Sequence, residues 1–284
     1  MLTSQLAINS ITVRQAGFEE AMAVFAAAGF PQVEFHLPLV KEWLASGHTV
    51  AEAKSLLAAH GLCSIGGVQA AIECFSSDES QAANQALLKE NAKLIQDLGG
   101  GTLVLGTDGP PQPSVDALLV VATALREFAE SIAGLDVAIG LEFNWGPLVK
   151  SLRSAQLVCE QANHPRVGIL FDPAHYHTTV TKFEDLTPDA VRLISHVHLN
   201  DMADKPGELS NCNADRVLMG EGILPLTALI ARLDDYGYQG SYSIELFNEE
   251  LWQTPAKEAA RRCYESLLPY CEQLDGASDF TSNP

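Results

Sequence analysis

Eight short runs rich in apolar and β-branched residues recur along the chain. They fall at Leu6–Ile11, Gln32–Leu37, Cys63–Val68, Thr102–Gly106, Val137–Phe143, Val167–Asp172, Ile194–Leu199 and Ser241–Leu246. Most are separated by a longer segment whose apolar positions repeat at offsets of three, four and seven, the spacing of one helical face. Phe18–Ala28 places Ala21, Phe25 and Ala28 on one stripe, and Gln81–Leu98 does the same with Leu88, Ala92, Ile95 and Leu98. Further helices are expected over Thr49–His60, Val115–Ile132, Leu148–Ala162, Asp185–Leu193, Leu224–Tyr236 and Pro255–Leu268. Strand and helix alternating eight times predict an α/β fold, a (β/α)8 TIM barrel. An open doubly wound sheet also alternates, but it usually offers a glycine-rich turn after its first strand. Asn9-Ser-Ile-Thr12 has none, and Gly99-Gly-Gly101 precedes a strand instead of opening a helix. The expectation is a single domain over residues 1–274 and a disordered tail over 275–284.

The polar positions that interrupt this pattern cluster at strand ends. Val137-Ala-Ile-Gly-Leu-Glu142 closes on Glu142, and Val167-Gly-Ile-Leu-Phe-Asp172 closes on Asp172, with His175 just beyond. Ile194-Ser-His-Val-His-Leu-Asn-Asp201 carries His196 and His198 two apart, so both point to one face of a strand. Ser241-Tyr-Ser-Ile-Glu245 closes on Glu245. In a barrel the C-terminal ends of the strands form the active face. Glu142, Asp172, His198 and Glu245 are spaced by 30, 26 and 47 residues, about one β/α unit each, the last enlarged by a long loop. Three carboxylates and one imidazole suit a hard or borderline divalent ion: Mn²⁺ or Mg²⁺ first, with Co²⁺ or Zn²⁺ open. A structural zinc would lean on thiolates. A lone carboxylate at a strand end commonly caps a helix, and a lone strand histidine is commonly a satisfied core residue. Four such residues on four successive strands favour the metal.

Bulk properties narrow the picture further. The 284 residues are 47% apolar and carry a formal charge of −19. That charge disfavours nucleic acid, which is bound through Lys and Arg. No apolar run of about 18 residues is present, so no membrane span is expected. The N-terminus lacks a basic-then-apolar leader, and the six cysteines form no CxxC pair, which fits reduced thiols and a cytoplasmic location.

Gly140-Leu-Glu142-Phe-Asn, Phe171-Asp172-Pro-Ala-His175, His196-Val-His198-Leu-Asn-Asp201, Asp215-Arg-Val-Leu-Met-Gly-Glu-Gly222 and Tyr242-Ser-Ile-Glu245 resemble the xylose isomerase-like TIM barrel superfamily. The branch they look most like is the sugar phosphate isomerase/epimerase group, which includes ketose 3-epimerases, hydroxypyruvate isomerases, inosose dehydratases and dehydroshikimate dehydratases. The resemblance covers nearly the whole chain. It implies that Glu142, Asp172, His198 and Glu245 bind one divalent ion, and that His175 and Arg216 contact a carbohydrate-like substrate. The related apurinic-site endonucleases use three zinc ions and extra histidines. Here Gly67-Val-Gln69 offers no histidine, and Val217 stands where those nucleases place one after Asp215-Arg216.

On such a site the metal would polarise a carbonyl and stabilise an enediolate. Glu142 and Glu245 are the candidate bases: one removes a proton, and the other returns it on the opposite face. Return to the neighbouring carbon gives aldose–ketose isomerisation, and loss of a β-hydroxyl gives dehydration instead. A non-catalytic barrel retaining a metal is a third reading. Glu34 and His36 end the second strand and Gln69 stands on the third, where pocket lining and plain loop contact are equally open. Trp145 could stack on a sugar face or simply pack. Arg216 could meet substrate, or pair with Asp215 or Glu221 to hold its loop, and Lys205 could meet a substrate anion. Trp252 and the apolar C-terminal helices are compatible with a homo-oligomer and equally with ordinary packing.

Overall fold

The computed structural model describes residues 1–277, with side chains through residue 271. Eight strands close into a parallel barrel. In chain order they are β1 (Leu6–Asn9), β2 (Gln32–His36), β3 (Cys63–Val68), β4 (Thr102–Leu105), β5 (Ala138–Glu142), β6 (Val167–Phe171), β7 (Ile194–Leu199) and, after a two-stranded excursion, β10 (Tyr242–Ile244). Their order around the barrel is β1-β10-β7-β6-β5-β4-β3-β2. The (β/α)8 barrel expected from the alternation is therefore the fold.

Burial on both faces explains the near-continuous apolar strands, since a parallel sheet here is wrapped by helices outside and filled by side chains within. Every residue of β6 is buried. Phe25, Leu88, Leu125, Val158 and Leu229 bring helix stripes onto that wall and are themselves buried. Local signals set the helix starts. Ser114 accepts from Ala117 N, Ser77 from Ser80 N, and Thr49 forms a reciprocal box with Glu52. Gly29 ends the first helix at φ +110°, a left-handed conformation in which a Cβ is strained.

The structure adds elements that periodicity did not reveal. A helix over Leu37–Ala45 follows β2, and a short one over Pro173–Thr178 follows β6. The stretch after β7, which reads as loop in the sequence, carries an antiparallel ladder: β8 (Asp201–Met202) pairs with β9 (Arg216–Val217). The last helix runs to Ala277, so residues 275–277 of the expected tail are helical. The rest of that tail, 278–284, lies outside the described residues. Trp252 is engaged within its own chain, donating to Ile11 O at 2.9 Å under the Arg14 guanidinium. No helix among the described residues is long and apolar enough to cross a membrane.

Candidate metal centre

The C-terminal strand ends bring Glu142, Asp172, His198 and Glu245 to one place, as the strand pattern anticipates. Asp172 leaves β6 and caps the helix Pro173–Thr178: its Oδ1 accepts from Ala174 N at 2.7 Å and from Asn200 Nδ2 at 2.9 Å. Capping thus uses one oxygen only. Oδ2 is buried without a hydrogen bond, 3.1 Å from Arg216 Nη2 and 3.5 Å from His198 Nδ1. His198 is held from behind, where its Nε2 lies 3.0–3.1 Å from both oxygens of Glu34. Its Nδ1 stands 3.1 Å from Glu245 Oε2 but in no hydrogen-bond geometry. Ligand atoms of Glu142, Asp172 and His198 lie within 4.8 Å of one another. Glu245 stands beside that cluster, its Oε1 accepting from Asn9 Nδ2 at 3.0 Å and its Oε2 from Arg216 Nη1 at 2.7 Å.

The electrostatics favour a cation here. Asp172, Glu245 and Glu142 are three carboxylates around one permanent cation, Arg216, and Glu34 adds a fourth behind His198. Burial alone would raise Asp172, but the Arg216 guanidinium and then the His175 imidazole outweigh it and hold the carboxyl well below its usual range. Glu34 is likewise pulled well below that range against its burial, by His198 and then His196. Burial would lower His175, but Glu142 and then Asp172 reverse this and raise it to about 10. The same competition, won by Glu245 and then Glu34, raises His198 well above its usual value. Two buried ligand atoms without hydrogen bonds, in an oxygen-rich set with one imidazole, fit a hard or borderline divalent ion.

The remaining expected site residues separate into three kinds. His175, Arg216, Gln69 and Trp145 line, with Glu142 and Glu245, a cavity of about 390 Å³. Trp145 is 60% exposed at its rim, so it does not serve as core packing. Glu34, expected on the pocket wall, is instead fully buried behind His198 and also faces His196 Nε2 at 3.2 Å. The ring of His198 stands between it and the cavity. Lys205 turns away to Asp215 at 2.5 Å. Arg216 pairs with neither Asp215 nor Glu221: its charge goes to Asp172 and Glu245, and its Nε donates to Cys212 O at 2.6 Å. Asn9 and Asn200 were not singled out for these contacts by sequence. Both stand at strand ends, the signal that identified the carboxylates, but an amide does not announce itself as a ligand's partner.

Asp201 explains how Arg216 is held over the barrel. Its buried carboxylate accepts four backbone N–H groups, from Met202 and Leu224 on Oδ1 and from Gly220 and Gly222 on Oδ2, at 2.8–3.1 Å. The excursion leaving β7 is thereby tied at its return. A Cβ at Gly222 would run into the Met202 carbonyl and the Asp201 carboxylate. Gly222→Ala is expected to cost about 1–3 kcal/mol, as overpacking does, read as a lower urea midpoint. An unchanged midpoint would show that the clamp does not bear on stability.

The sequence profile of the family described as xylose isomerase-like TIM barrel matches residues 22–267. An inosose isomerase of Halalkalibacterium halodurans is 31% identical over 147 residues, covering 51% of this chain and 51% of the relative. A 3-dehydroshikimate dehydratase of Pseudomonas putida is 28% identical over 187 residues, covering 63% of this chain and 28% of the relative. The match spans about half the length of the isomerase and under a third of the dehydratase. The 1.8 Å crystal structure of IOLI protein with a binding zinc atom superposes with a TM-score of 0.85 at 21% identity, covering 95% of this chain and 98% of that one.

Proposed function

We propose, since the chain belongs to the xylose isomerase-like TIM barrel family, that it is a divalent-metal-dependent isomerase or epimerase of a keto sugar or related polyhydroxy carbonyl compound. The observation that carries this is the meeting of Glu142, Asp172 and His198 within 4.8 Å, with Glu142, His198 and Glu245 on the wall of a cavity of about 390 Å³. The similarity to an inosose isomerase supports the substrate class.

Glu142, Asp172, His198 and Glu245 would hold the ion, which supplies Lewis-acid polarisation of a carbonyl. The chain's own residues do the rest. Glu142 on β5 and Glu245 after β10 are separated around the barrel by β6 and β7, so they approach a bound molecule from two sides. One of the two, as carboxylate, accepts the proton beside the carbonyl, and the other, entering as the protonated acid, donates its own proton from the opposite side. His175, 3.3 Å from Glu142 Oε1, orients that carboxylate. Asn9 and Arg216 orient Glu245. Arg216 and Gln69 offer donors to substrate oxygens, and Trp145 offers a face to the sugar ring. Glu34 accepts the Nε2 proton of His198 and leaves Nδ1 as the ligand atom. Glu34→Gln is therefore expected to weaken Mn²⁺ binding by about 10–100-fold, measured by calorimetric titration. Wild-type affinity in the variant would remove Glu34 from this role.

The deciding experiment is proton NMR in D₂O. The Mn²⁺-loaded protein is incubated with ketohexoses, inososes and dehydroshikimate, and the metal is chelated before spectra are recorded. Deuterium beside a carbonyl together with an isomeric product is the expected result. An unsaturated product would make the protein a dehydratase, the activity named for the Pseudomonas relative. No exchange, with no stoichiometric metal bound, would overturn the proposal.

A further inference from the structure

A polar chain runs from the barrel's outer layer into the cavity, and the chemistry of one lysine fixes its direction. Lys41, on the helix Leu37–Ala45, places its Nζ 2.6 Å from Gln69 Oε1 and 2.6 Å from Asn91 Oδ1. Asn91 comes from the helix Asp78–Asp97 and is completely buried. Gln69 follows β3 and lines the cavity that Glu142, His198 and Glu245 share. An ammonium group has donors only, so the amide atom facing it must be oxygen in both residues. The orientation of the Gln69 amide, which is otherwise interchangeable between its two ends, is therefore decided by Lys41. With Oε1 turned to the ammonium, Nε2 is left as the free end, and no described residue accepts its hydrogens.

We infer that Lys41, anchored by Asn91, is a positioning residue that locks Gln69 as a hydrogen-bond donor to an acceptor oxygen of the substrate. This rests on the proposed function for the identity of the cavity, but the lock itself does not. Fixing a side-chain amide before binding removes the rotamer loss that ordering it on association would cost. The site then selects ligands that present a carbonyl, carboxylate or hydroxyl lone pair at this wall. It disfavours a cationic amine, which would meet the Gln69 N–H groups with the Lys41 charge behind them. Without Lys41 the amide turns freely, and either end can face the ligand.

Two measurements separate the lock from the reaction. The first needs no substrate: the Gln69 side-chain amide is followed by ¹⁵N–¹H correlation in the metal-free protein, wild type against Lys41→Met. Distinct, well-dispersed resonances in the wild type that collapse towards the positions of a free glutamine amide in the variant are expected. Unchanged Gln69 resonances in Lys41→Met would overturn the inference, whatever the protein catalyses. The second is a kinetic cycle on the inosose or ketose that exchanges deuterium. Lys41→Met is expected to raise KM about 10-fold with kcat little changed, the pattern of lost binding common to ground and transition states. Lys41→Arg, which keeps donors only, is expected to recover part of it. In the Gln69→Ala background Lys41→Met is expected to have no further effect, because its influence passes through Gln69. Additive effects would mean that Lys41 acts on the fold and not on the amide. If the wild type turns over nothing, the proposed function fails while the resonance test still decides the lock.

Discussion

Glu142→Gln and Glu245→Gln are each expected to lower the rate of deuterium exchange by about 10²–10⁴-fold, the range for loss of a positioned acid or base, while the barrel stays folded. Glutamine preserves length and one acceptor oxygen, so Asn9 can still donate to residue 245 and Asn144 to residue 142. What is lost is the negative charge that accepts a proton and attracts a cation. The two variants should nevertheless differ. Glu245 faces both Arg216 and His198, so its neutralisation leaves a buried guanidinium with Asp172 as its remaining carboxylate partner. Glu142 faces chiefly His175. Glu245→Gln should therefore also lower the urea midpoint, and Glu142→Gln should do so less. Metal content measured on the same samples separates loss of the base from loss of the ion. A Glu245→Gln protein exchanging at the wild-type rate would sink the two-carboxylate mechanism.

Arg216→Met is expected to destabilise the metal-free protein by about 3–5 kcal/mol, the range for removing one member of a buried ion pair. The guanidinium is 1% exposed and touches Glu245 Oε2 at 2.7 Å and Asp172 Oδ2 at 3.1 Å. Burial opposes its charge, yet Asp172 and then Glu245 raise its pKa, so the charge is present throughout the working range. With methionine there, Asp172, Glu245 and Glu142 face no permanent cation. Divalent ions should then stabilise the variant more than the wild type, since binding to the folded state alone adds stability that rises with the logarithm of affinity. The check is a urea or thermal midpoint with and without Mn²⁺ for both proteins. Equal shifts would mean that the guanidinium and the ion do not act on the same carboxylates.

Much of the fold was written in periodicity. The helix Phe18–Ala28 falls where its stripe places it, and all eight barrel strands lie within a residue or two of their apolar runs. The helix Leu37–Ala45 was hidden because it begins directly at the end of β2, where Leu37 reads as the strand's last apolar residue. The ladder between Asp201–Met202 and Arg216–Val217 was hidden because two-residue strands carry no period. The carboxylates were legible because charge at the end of an apolar run is costly without a purpose. The function of Glu34 was not. It stands in the middle of β2, whereas Glu142 ends β5, and only the structure shows that the His198 ring stands between it and the cavity. Lys41 and Asn91 lie on two different helices and Gln69 follows β3, and nothing in their spacing announces that they meet.

The Asp201 clamp has an evolutionary reading. Arg216 belongs to a long excursion, yet its position depends on a few fixed points: the two-residue ladder, the Asp201 carboxylate that grips the returning backbone, and Asn248 holding its carbonyl at 2.9 Å. Lys205 and Asn211 meet Asp215, next to Arg216, but residues 206–210 bond to neither Asp215 nor Arg216, and several of them roof a neighbouring hollow that shares Trp145 and Cys212 with the metal cavity. The chemistry of those five positions can therefore vary with less consequence for the arginine than a change at Lys205 or Asn211. On this face the roof over the neighbouring hollow is a place where substitutions would alter what a ligand meets while leaving Glu142, Asp172, His198 and Glu245 untouched.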